Sequence, residues 1–407
     1  MNILLINHYA GSTEHGMEFR PFYMSRGWVR EGHKVLVLAA SYSHIRSKQP
    51  IMGTKTSEEI IDGVNFRWYE TPKYNGNGLG RIKNMLHFLW SISRDSKNIV
   101  ENFKPDIVIA SSTYPLDIFP AHKIAKKSQA KLVFEVHDLW PLTPIELGGF
   151  SKWNPLVMII QFAEDFAYRK SNKVVSMLPN AKSYMVSRGM EDNKFIYIPN
   201  GVDKDDWTDR ADLPQAITDK IQAIRSEGKV VLGFSGTHGL ANALDLLLDV
   251  AKIIQGRVSI VMVGQGPEKQ RLCERLKNEG IDNVHMYDSI SKQSIPSFLE
   301  MVDISYIGML PQSLYRFGIS PNKLMDYMMA AKPIVMSINA GNDMVSDVGC
   351  GLTVKTNDKY DVAIAVLKIA NLGRDSRIKM GLLGKKYVML NHSYDTLPVH
   401  FLEELNQ

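Results

Sequence analysis

Short apolar runs alternate with longer amphipathic stretches along most of the 407-residue chain. Continuous apolar runs are typical of strands buried in a parallel sheet, and helical spacing of apolar positions is typical of the helices that cover it. The strands predicted in the first half are Asn2–Asn7, Lys34–Ala40, Ile107–Ser111, Leu132–Val136, Val174–Met177 and Phe195–Ile198. Helices are predicted between them, among others at Met17–Glu31 and Leu116–Lys127. This order of elements indicates a doubly wound α/β sheet.

The second half of the chain begins the same alternation again. Its predicted strands are Val230–Ser235, Val258–Val263, Val284–Tyr287, Ile304–Ile307 and Pro333–Ser337, and its predicted helices are Ala243–Ile254, Glu268–Asn278 and Pro321–Ala330. Because the chain is too long for one ordinary core, we expect two Rossmann-like domains, residues 1–202 and 203–387. A charged, turn-rich segment follows the boundary, and a C-terminal helix at about residues 388–407 is expected to pack back on the first domain.

Composition excludes several classes of protein. Apolar residues make up 44% and charged residues 22%, which is ordinary for a globular protein, and two cysteines cannot form a disulfide framework. No uncharged apolar stretch is long enough to span a bilayer, and no secretory signal is recognised, so we expect a cytoplasmic protein. The net charge of +5 comes without a long basic stripe, which argues against nucleic-acid binding and leaves a phosphorylated substrate or an anionic membrane surface.

Both halves place a glycine-containing loop directly after their first strand. The loop reads His8-Tyr9-Ala10-Gly11-Ser12 in one half and Gly236-Thr237-His238-Gly239 in the other. Ligands of doubly wound sheets bind at the carboxyl ends of the strands. Two such domains facing each other would bring their binding edges together across one cleft.

Four further segments stand in a recognisable order along the chain. They are Phe134-Glu135-Val136-His137-Asp138-Leu139-Trp140-Pro141, Ile198-Pro199-Asn200-Gly201-Val202-Asp203, Val263-Gly264-Gln265-Gly266-Pro267-Glu268, and Phe317-Gly318-Ile319-Ser320-Pro321-Asn322-Lys323-Leu324-Met325-Asp326-Tyr327-Met328. Together they resemble the retaining glycosyltransferases of family 4 (glycosyltransferase group 1), which have the GT-B fold. The variant Ser-Pro-Asn-Lys is similar to that of bacterial O-antigen and capsule polysaccharide sugar transferases. Taken singly, each segment is also ordinary turn or strand-to-helix chemistry.

The resemblance implies that the last segment is the donor-binding helix. Ser320 can cap the helix and Pro321 suits its first turn, so that the free N–H groups there could hold a diphosphate. Lys323 would add a cation, and Asp326 would accept hydrogen bonds from a ribose. The predicted donor-binding residues are Gly236, Thr237, His238, Gly266, Arg316, Ser320, Pro321, Asn322, Lys323 and Asp326. Gly318 departs from the family pattern, because a glutamate is usual at that position.

The first half is predicted to bind the acceptor. His137 follows a predicted strand, and by resemblance it points at the transferred sugar; the alternative is a hydrogen-bonded structural histidine. With Lys323 and Asp326 it completes the predicted catalytic set. The predicted acceptor-binding residues are Gly11, Gly16, Glu18, Arg20 and Asp138. Glu18 in a first helical turn is also favoured by the helix dipole alone.

No metal or other cofactor is expected, because the histidines show no close pairing at ligand spacing and the cysteines stand alone. The nucleotide sugar enters as a substrate. Two stretches, Arg81–Arg94 and Trp153–Phe166, mix basic and large apolar residues. Each could lie in the interface of an anionic inner membrane, on its cytoplasmic face, or could be a helix buried on one side.

The sequence therefore predicts a glycosyltransferase that moves a hexosyl or N-acetylhexosaminyl group from a nucleoside-diphosphate sugar, with UDP favoured, to a glycan or polyprenyl-linked glycan acceptor. Retention of configuration and a place in bacterial surface polysaccharide or lipopolysaccharide synthesis follow from the resemblance. Two alternatives stay open. One is a UDP-sugar 2-epimerase of the same architecture, and the other is a catalytically silent binding subunit of a glycan-assembly complex.

Overall fold

The computed structural model describes residues 1–76 and 78–406, and the chain divides into two compact units. Residues Met1–Pro199 and Tyr394–Gln407 form the first unit, and Asn200–Ser393 form the second. The first boundary lies three residues before the predicted one. The returning segment starts at Tyr394, after the end of a long helix, whereas the sequence suggested a start near residue 388.

The first unit contains an eight-stranded sheet. Its strands are β1 (Asn2–Ile6), β2 (Lys34–Ala40), β3 (Thr56–Ile61), β4 (Val64–Tyr69), β5 (Ile107–Ala110), β6 (Lys131–Val136), β7 (Lys173–Ser176) and β8 (Phe195–Tyr197). They are ordered β3-β4-β2-β1-β5-β6-β7-β8, and all neighbours are parallel except β3 and β4. The helices are α1 (Arg20–Arg30), α2 (Leu79–Asn98), α3 (Ile118–Ser128), α4 (Leu142–Glu146), α5 (Pro155–Lys170), α6 (Lys182–Ser187) and, from the C-terminal segment, α16 (Leu397–Glu404).

The second unit contains a six-stranded, fully parallel sheet. Its strands are β9 (Val230–Ser235), β10 (Val258–Val263), β11 (Val284–Tyr287), β12 (Ile304–Gly308), β13 (Ile334–Ser337) and β14 (Gly351–Val354), in the order β11-β10-β9-β12-β13-β14. The helices are α7 (Asp205–Thr208), α8 (Gln215–Ser226), α9 (Leu244–Ile254), α10 (Lys269–Asn278), α11 (Ile295–Met301), α12 (Asn322–Met329), α13 (Met344–Val348), α14 (Lys359–Ala370) and α15 (Arg374–Asn391). The prediction of two α/β domains with parallel sheets is confirmed.

The antiparallel pair β3–β4 was missed by the sequence analysis, although the sequence carries its signal. Asp62 and Gly63 join the two strands, and both have positive φ, 47° and 80°. A two-residue Asp-Gly turn with both φ values positive matches the twist of a hairpin. The hairpin extends the sheet beyond β2, so that β2 is an interior strand.

Helices cover the central strands of each sheet on both faces, which explains why these strands are apolar. The side chains of Ile3, Leu4, Leu5 and Ile6 in β1 are fully buried, as are Leu232 and Phe234 in β9. In the second unit, α15 packs on α12, and Gly381 of α15 lies against the turn that follows α12. A Cβ built at Gly381 would lie 1.9 Å from the carbonyl oxygen of Ala331, so this contact admits no side chain. Over the described residues, no helix is long and apolar enough to cross a membrane.

Candidate functional site

Two glycine-containing loops lie against each other at the carboxyl edge of the second sheet. One follows β9 and contains Gly236 and His238, and the other follows β10 and contains Gly264 and Gly266. A Cβ built at Gly264 would lie 1.9 Å from the Gly236 carbonyl oxygen, and one at Gly266 would lie 2.3 Å from the His238 carbonyl oxygen. Both glycines are therefore required for the loops to pack. Predicted donor residues from two separate segments are brought together at the expected edge.

Lys323 reaches this loop pair from the first turn of α12. Its ammonium group donates to the Asn242 Oδ1 at 2.5 Å, lies 4.9 Å from the centre of the Phe234 ring, and stands 3.4 Å from the position of a Cβ at Gly236. Burial lowers the pKa of Lys323 to about 8. A partly desolvated cation beside exposed backbone is suited to an anionic ligand.

The segment before α12 is fixed from both sides by asparagines. The Asn200 backbone N–H donates to Ser320 Oγ at 2.9 Å, and the Asn200 side chain donates to the Ser320 carbonyl at 2.7 Å. Asn342 accepts from the Ile319 N–H at 2.8 Å and donates to its carbonyl at 3.0 Å. The predicted cap at Ser320 is therefore wrong. Pro321 is the N-cap residue, α12 begins at Asn322, and the serine hydroxyl is used by Asn200.

Gly318 has φ 93° and ψ 173°, a region of backbone conformation that is essentially restricted to glycine. This explains why the acid that is usual in the resembled family does not stand here. A glutamate at position 318 would strain the backbone that leads into α12.

Asp326 lies one turn after Lys323 and is partly buried. Burial raises the pKa of its carboxyl to about 7, opposed by the nearby ammonium group of Lys292 and assisted by the charge of Asp206. Lys292 also contacts Asp206, donating to its Oδ2 at 2.5 Å. Asp326 thus belongs to a group of charges that includes a cation from the turn before α11. Nothing in the local pattern around Lys292 marks it, so its place in this group is not predictable from the sequence alone.

Three other predicted donor residues differ in their accessibility. The imidazole of His238 is fully buried, neither ring nitrogen has a hydrogen-bond partner in the described part of the chain, and burial lowers its pKa to about 4. Its backbone N–H donates to the Gln265 carbonyl at 2.8 Å, so the residue ties the two loops together. Thr237 and Arg316 are exposed, and Arg316 donates to the Ser313 carbonyl and stacks on Phe317. The His238 ring faces the interior, and a donor contact through the backbone of this loop stays a prediction.

In the first unit, His137 follows β6 and is held by two neighbours. Its Nε2 lies 2.9 Å from Ser111 Oγ and 3.4 Å from Glu135 Oε2. Burial lowers the pKa of His137, but the Glu135 carboxylate outweighs this effect and the net shift is upward. Because residues 135 and 137 are two apart along an extended segment, their side chains lie on the same side of it. The charge of His137 is thus controlled by a residue that the sequence analysis did not select.

Arg20 does not lie where an acceptor could reach it. Its side chain is 1% exposed and donates to Glu135 Oε1 through Nε at 3.1 Å and Nη2 at 2.9 Å. It also donates to the carbonyls of Ile198 at 3.0 Å and Pro199 at 2.5 Å. The predicted acceptor contact of Arg20 is therefore wrong in this structure. Its guanidinium is an interior counter-cation that holds Glu135, which in turn holds His137.

The other predicted acceptor residues lie in or near the loop after β1. Gly11 and Gly16 are adjacent, since a Cβ at Gly11 would lie 1.8 Å from the Gly16 carbonyl oxygen. Glu18 is partly buried, and its backbone carbonyl accepts from the Gly11 N–H at 2.8 Å. Asp138 is exposed, directly after His137. Their roles toward an acceptor remain predictions.

Solved structures of other proteins share this two-unit architecture over nearly the whole chain. The chain superposes on Anabaena HepE, solved with UDP and glucose, with a TM-score of 0.67 at 14% identity over 100% of both chains. Sucrose-phosphate synthase of Thermosynechococcus elongatus gives a TM-score of 0.70 at 12% identity over 98% of this chain and 97% of its own. Residues 15–206 match Glycosyltransferase Family 4, and residues 229–371 match Glycosyl transferases group 1.

The chain is a glycosyltransferase of the GT-B fold.

A relative by sequence of this glycosyltransferase is WcaI of Escherichia coli strain K12, assigned to colanic acid biosynthesis as a glycosyl transferase. The two are 21% identical over 285 residues, which cover 67% of this chain and 68% of WcaI. The segments matched by the two glycosyltransferase family models, residues 15–206 and 229–371, include every residue of the candidate site in both units except those in the loop before residue 15.

Three residues of this glycosyltransferase were missed although they organise the predicted ones. Glu135 stood out as a charge at the end of an apolar strand, which is a usable signal, because a carboxylate is seldom fully buried unless it is paired. Asn200 belongs to one of the segments that carry the resemblance, but its contact with Ser320 was not predicted. Lys292 has no local signal, since its neighbours Asp206 and Asp326 are brought to it by the fold.

Proposed function

We propose that this glycosyltransferase moves a sugar from a nucleoside-diphosphate sugar, with UDP as the nucleotide, to a hydroxyl group of a glycan or lipid-linked glycan, with retention of configuration. The observation that carries the proposal is the position of Lys323, whose ammonium group stands beside the Gly236 backbone at the carboxyl edge of the second sheet. HepE, of similar fold, has been solved with UDP and with UDP-glucose. A place in bacterial surface polysaccharide synthesis is supported by the relationship to WcaI.

In this proposal the diphosphate lies against the loop after β9 and the first turn of α12. Backbone N–H groups at a helix start and a neighbouring cation together favour an anion. As the bond to the sugar breaks, negative charge grows on the leaving phosphate, and donors that are already in place stabilise it without reorganising. Lys323 would supply the positive charge, and the proposed reaction uses no metal. Asp326 would accept hydrogen bonds from the ribose hydroxyls.

The role proposed for His137 is contact with the transferred sugar. The paired Glu135 favours the imidazolium form, which would donate a hydrogen bond to a sugar hydroxyl through Nδ1 while Nε2 stays on Ser111 and Glu135. No enzyme base is assigned to the acceptor hydroxyl, because the departing phosphate oxygen would take its proton. Glu135 and Arg20 act through His137 and are positioning residues.

A lipid-linked acceptor is supported by an exposed apolar surface on the first unit. Helices α2 and α5 flank α3, and each buries one face while the other face exposes large side chains: Leu86 (55%), Trp90 (54%), Trp153 just before α5 (72%), Ile159 (55%) and Phe162 (58%). Cations accompany both tryptophans, with Arg94 4.7 Å from the Trp90 ring centre and Lys152 5.3 Å from that of Trp153. Tryptophan beside a cation is typical of a bilayer interface.

We therefore propose peripheral attachment of this surface to the cytoplasmic face of an anionic membrane. Sedimentation with phosphatidylglycerol vesicles at low salt, and release by high salt, is the expected result. A Trp90→Ser/Trp153→Ser variant should stay in the supernatant. Vesicle binding by this variant equal to that of the wild type would contradict the assignment of the surface.

Titration of the purified protein with UDP tests the donor site. Lys323→Ala should weaken UDP binding by about ten- to a hundredfold, since a hydrogen bond to a charged group contributes about 1.5–3 kcal/mol. Lys386→Ala removes an exposed charge from α15 and serves as the control. Unchanged UDP affinity in Lys323→Ala would refute the phosphate role.

Incubation with UDP-sugars tests the reaction. Transfer that depends on an added glycan or lipid-linked acceptor supports the proposal. Isomerisation of the UDP-sugar in the absence of any acceptor would identify an epimerase instead, and binding without turnover of any kind would identify a silent subunit.

A further inference from the structure

A cavity of about 480 Å³ opens at the amino-terminal edge of the second sheet. It lies beside Val230, the first residue of β9, and Pro333, the residue before β13. Strands of a parallel sheet all run in one direction, so this edge is opposite to the one that carries Gly236 and Lys323. The cavity is therefore distinct from the proposed donor site, and nothing in the glycosyl transfer reaction uses it.

The lining of the cavity is strongly basic. Its cationic side chains are Arg225, Lys229, Arg257, Lys332, Arg374 and Arg377, and its carboxylates are Glu300 and Asp303. The lining charge is thus +4 within one concave surface. The whole chain has a net charge of only +5. Basic residues are concentrated here far beyond the average of the molecule.

Backbone carbonyls hold several of these cations in place. Arg257 and Arg377 both donate to the carbonyl of Ala370, at 3.4 and 3.1 Å, and Arg377 also donates to that of Leu372 at 2.6 Å. The ammonium group of Lys332 donates to a backbone carbonyl at 2.7 Å. A carbonyl fixes the direction of a cation without cancelling its charge. The positive groups are therefore oriented in advance of any ligand.

One carboxylate of the lining pairs with a cation inside the cavity and the other with a cation outside it, and the lining cation Lys229 is itself paired, 2.9 Å from Glu227. Glu300 contacts Arg210, which does not line the cavity, and Asp303 accepts from the Val231 N–H at 2.9 Å and lies 3.4 Å from Arg225. The side chain of Arg374, by contrast, makes no hydrogen bond or ion pair with any other residue in the described part of the chain. Among the described residues, four cations of the lining therefore have no carboxylate within ion-pair distance: Arg257, Lys332, Arg374 and Arg377.

The pKa of Lys332 supports the same picture. Burial lowers it, and the neighbouring charges of Arg225 and Arg374 lower it further, against the opposing effect of Asp303 and Glu300. Like charges held close together repel, and an anion between them would relieve that repulsion.

We propose that this cavity is a binding site for an anion that carries two phosphate groups. Each phosphate monoester group bears about 1.5 to 2 negative charges near neutral pH, so two of them match a lining charge of +4. A single carboxylate would leave most of the charge uncompensated. The planar fork of arginine also binds two phosphate oxygens at once, which favours phosphate in a site built mainly from arginines.

Calorimetric titration with inorganic pyrophosphate tests the proposal. The full-length protein is used with Lys323→Gln in every sample, so that the proposed donor site contributes little. Arg374→Gln/Lys332→Gln should weaken pyrophosphate binding by about tenfold or more, because two charge-assisted contacts are lost. The control Lys385→Gln/Lys386→Gln removes the same charge from α15 outside the cavity, and its affinity should stay within about twofold of the parent protein.

Arg374→Gln alone is the second variant, since the Arg374 side chain has no hydrogen-bond or ion-pair partner among the described residues and its replacement should leave folding intact. It should weaken pyrophosphate binding as well, and high salt should reduce binding in the parent protein. Equal pyrophosphate affinity in the cavity variants and the control would overturn the proposal. That result is independent of the donor site, whose own test is the effect of Lys323 on UDP.

Vesicles distinguish the two sources of such an anion. If the phosphates belong to a lipid, sedimentation with vesicles that contain a polyprenyl diphosphate should fall in the cavity variant and not in the control. If they belong to a soluble compound, the variants should sediment alike while pyrophosphate binding still differs. Both results support a diphosphate site, whereas no difference between variant and control in either assay excludes it.

Discussion

Replacing Arg20 by alanine should destabilise the first unit strongly. The guanidinium is 1% exposed, pairs with the buried carboxylate of Glu135 at 2.9 Å, and donates to the carbonyls of Ile198 and Pro199 at 3.0 and 2.5 Å. Alanine removes the counter-cation of a buried charge and the donor of two carbonyls. The sequence predicted an acceptor contact for Arg20, which would instead leave stability nearly unchanged.

The size of the loss follows from these contacts. Removing one partner of a buried ion pair costs about 3–5 kcal/mol, because the other charge is left uncompensated in the interior. That is a large part of the roughly 5–15 kcal/mol by which folded proteins are stable. The double variant Arg20→Met/Glu135→Gln removes both charges and should recover at least about half of the loss.

Urea unfolding at neutral pH, followed by circular dichroism, measures this loss of stability. In the two-unit chain, the unfolding transition of the first unit should move to a lower urea concentration in Arg20→Ala. The control is Arg30→Ala, also in α1, whose side chain is 47% exposed and lies 3.6 Å from Asp395. An exposed pair contributes only about 0–1 kcal/mol. If Arg20→Ala unfolds at the same urea concentration as the wild type, the reasoning is refuted, and a concurrent loss of acceptor binding would restore the earlier prediction.

Three further outcomes follow from the structure. Since the pKa of Lys323 is about 8, the affinity of the wild type for UDP should fall as pH rises through that value. A Lys323→Met variant should bind UDP weakly at every pH, and parallel pH profiles of the two proteins would contradict a contact between Lys323 and the diphosphate. Against the lowering effect of burial, the Glu135 carboxylate raises the pKa of His137, so the contribution of His137 to stability is complete below the unfolded value of about 6.5 and is lost as pH rises through the folded value. The difference in unfolding free energy between wild type and His137→Gln should therefore shrink as pH rises above about 6.5, and a constant difference would argue against the Glu135 pair. Gly381→Ala should lower the unfolding free energy of the second unit by about 1–3 kcal/mol, because its methyl group would meet the Ala331 carbonyl, and Lys379→Ala on the same helix should have little effect.

Some parts of the candidate site could be predicted from the sequence and others could not. The neighbourhood of Lys323 and the loop after β9 followed from strand ends and a helix start, which are local signals. The hairpin at Asp62 and Gly63 was equally local and could have been found. Three other features could not have been predicted, because each depends on a distant partner or on packing. They are the hydrogen bond of the Ser320 hydroxyl, the burial of Arg20 and the inward orientation of the His238 ring.

The sequence by itself determined two α/β units with parallel sheets, and it determined which loops carry glycines. Apolar periodicity and the steric needs of a turn act over a few neighbouring residues, so they are visible in the chain itself. Only the tertiary structure decided which polar groups meet. Arg20 finds Glu135 across 115 positions, and Asn200 finds Ser320 across 120. A buried polar side chain must be paired, but the fold chooses the partner.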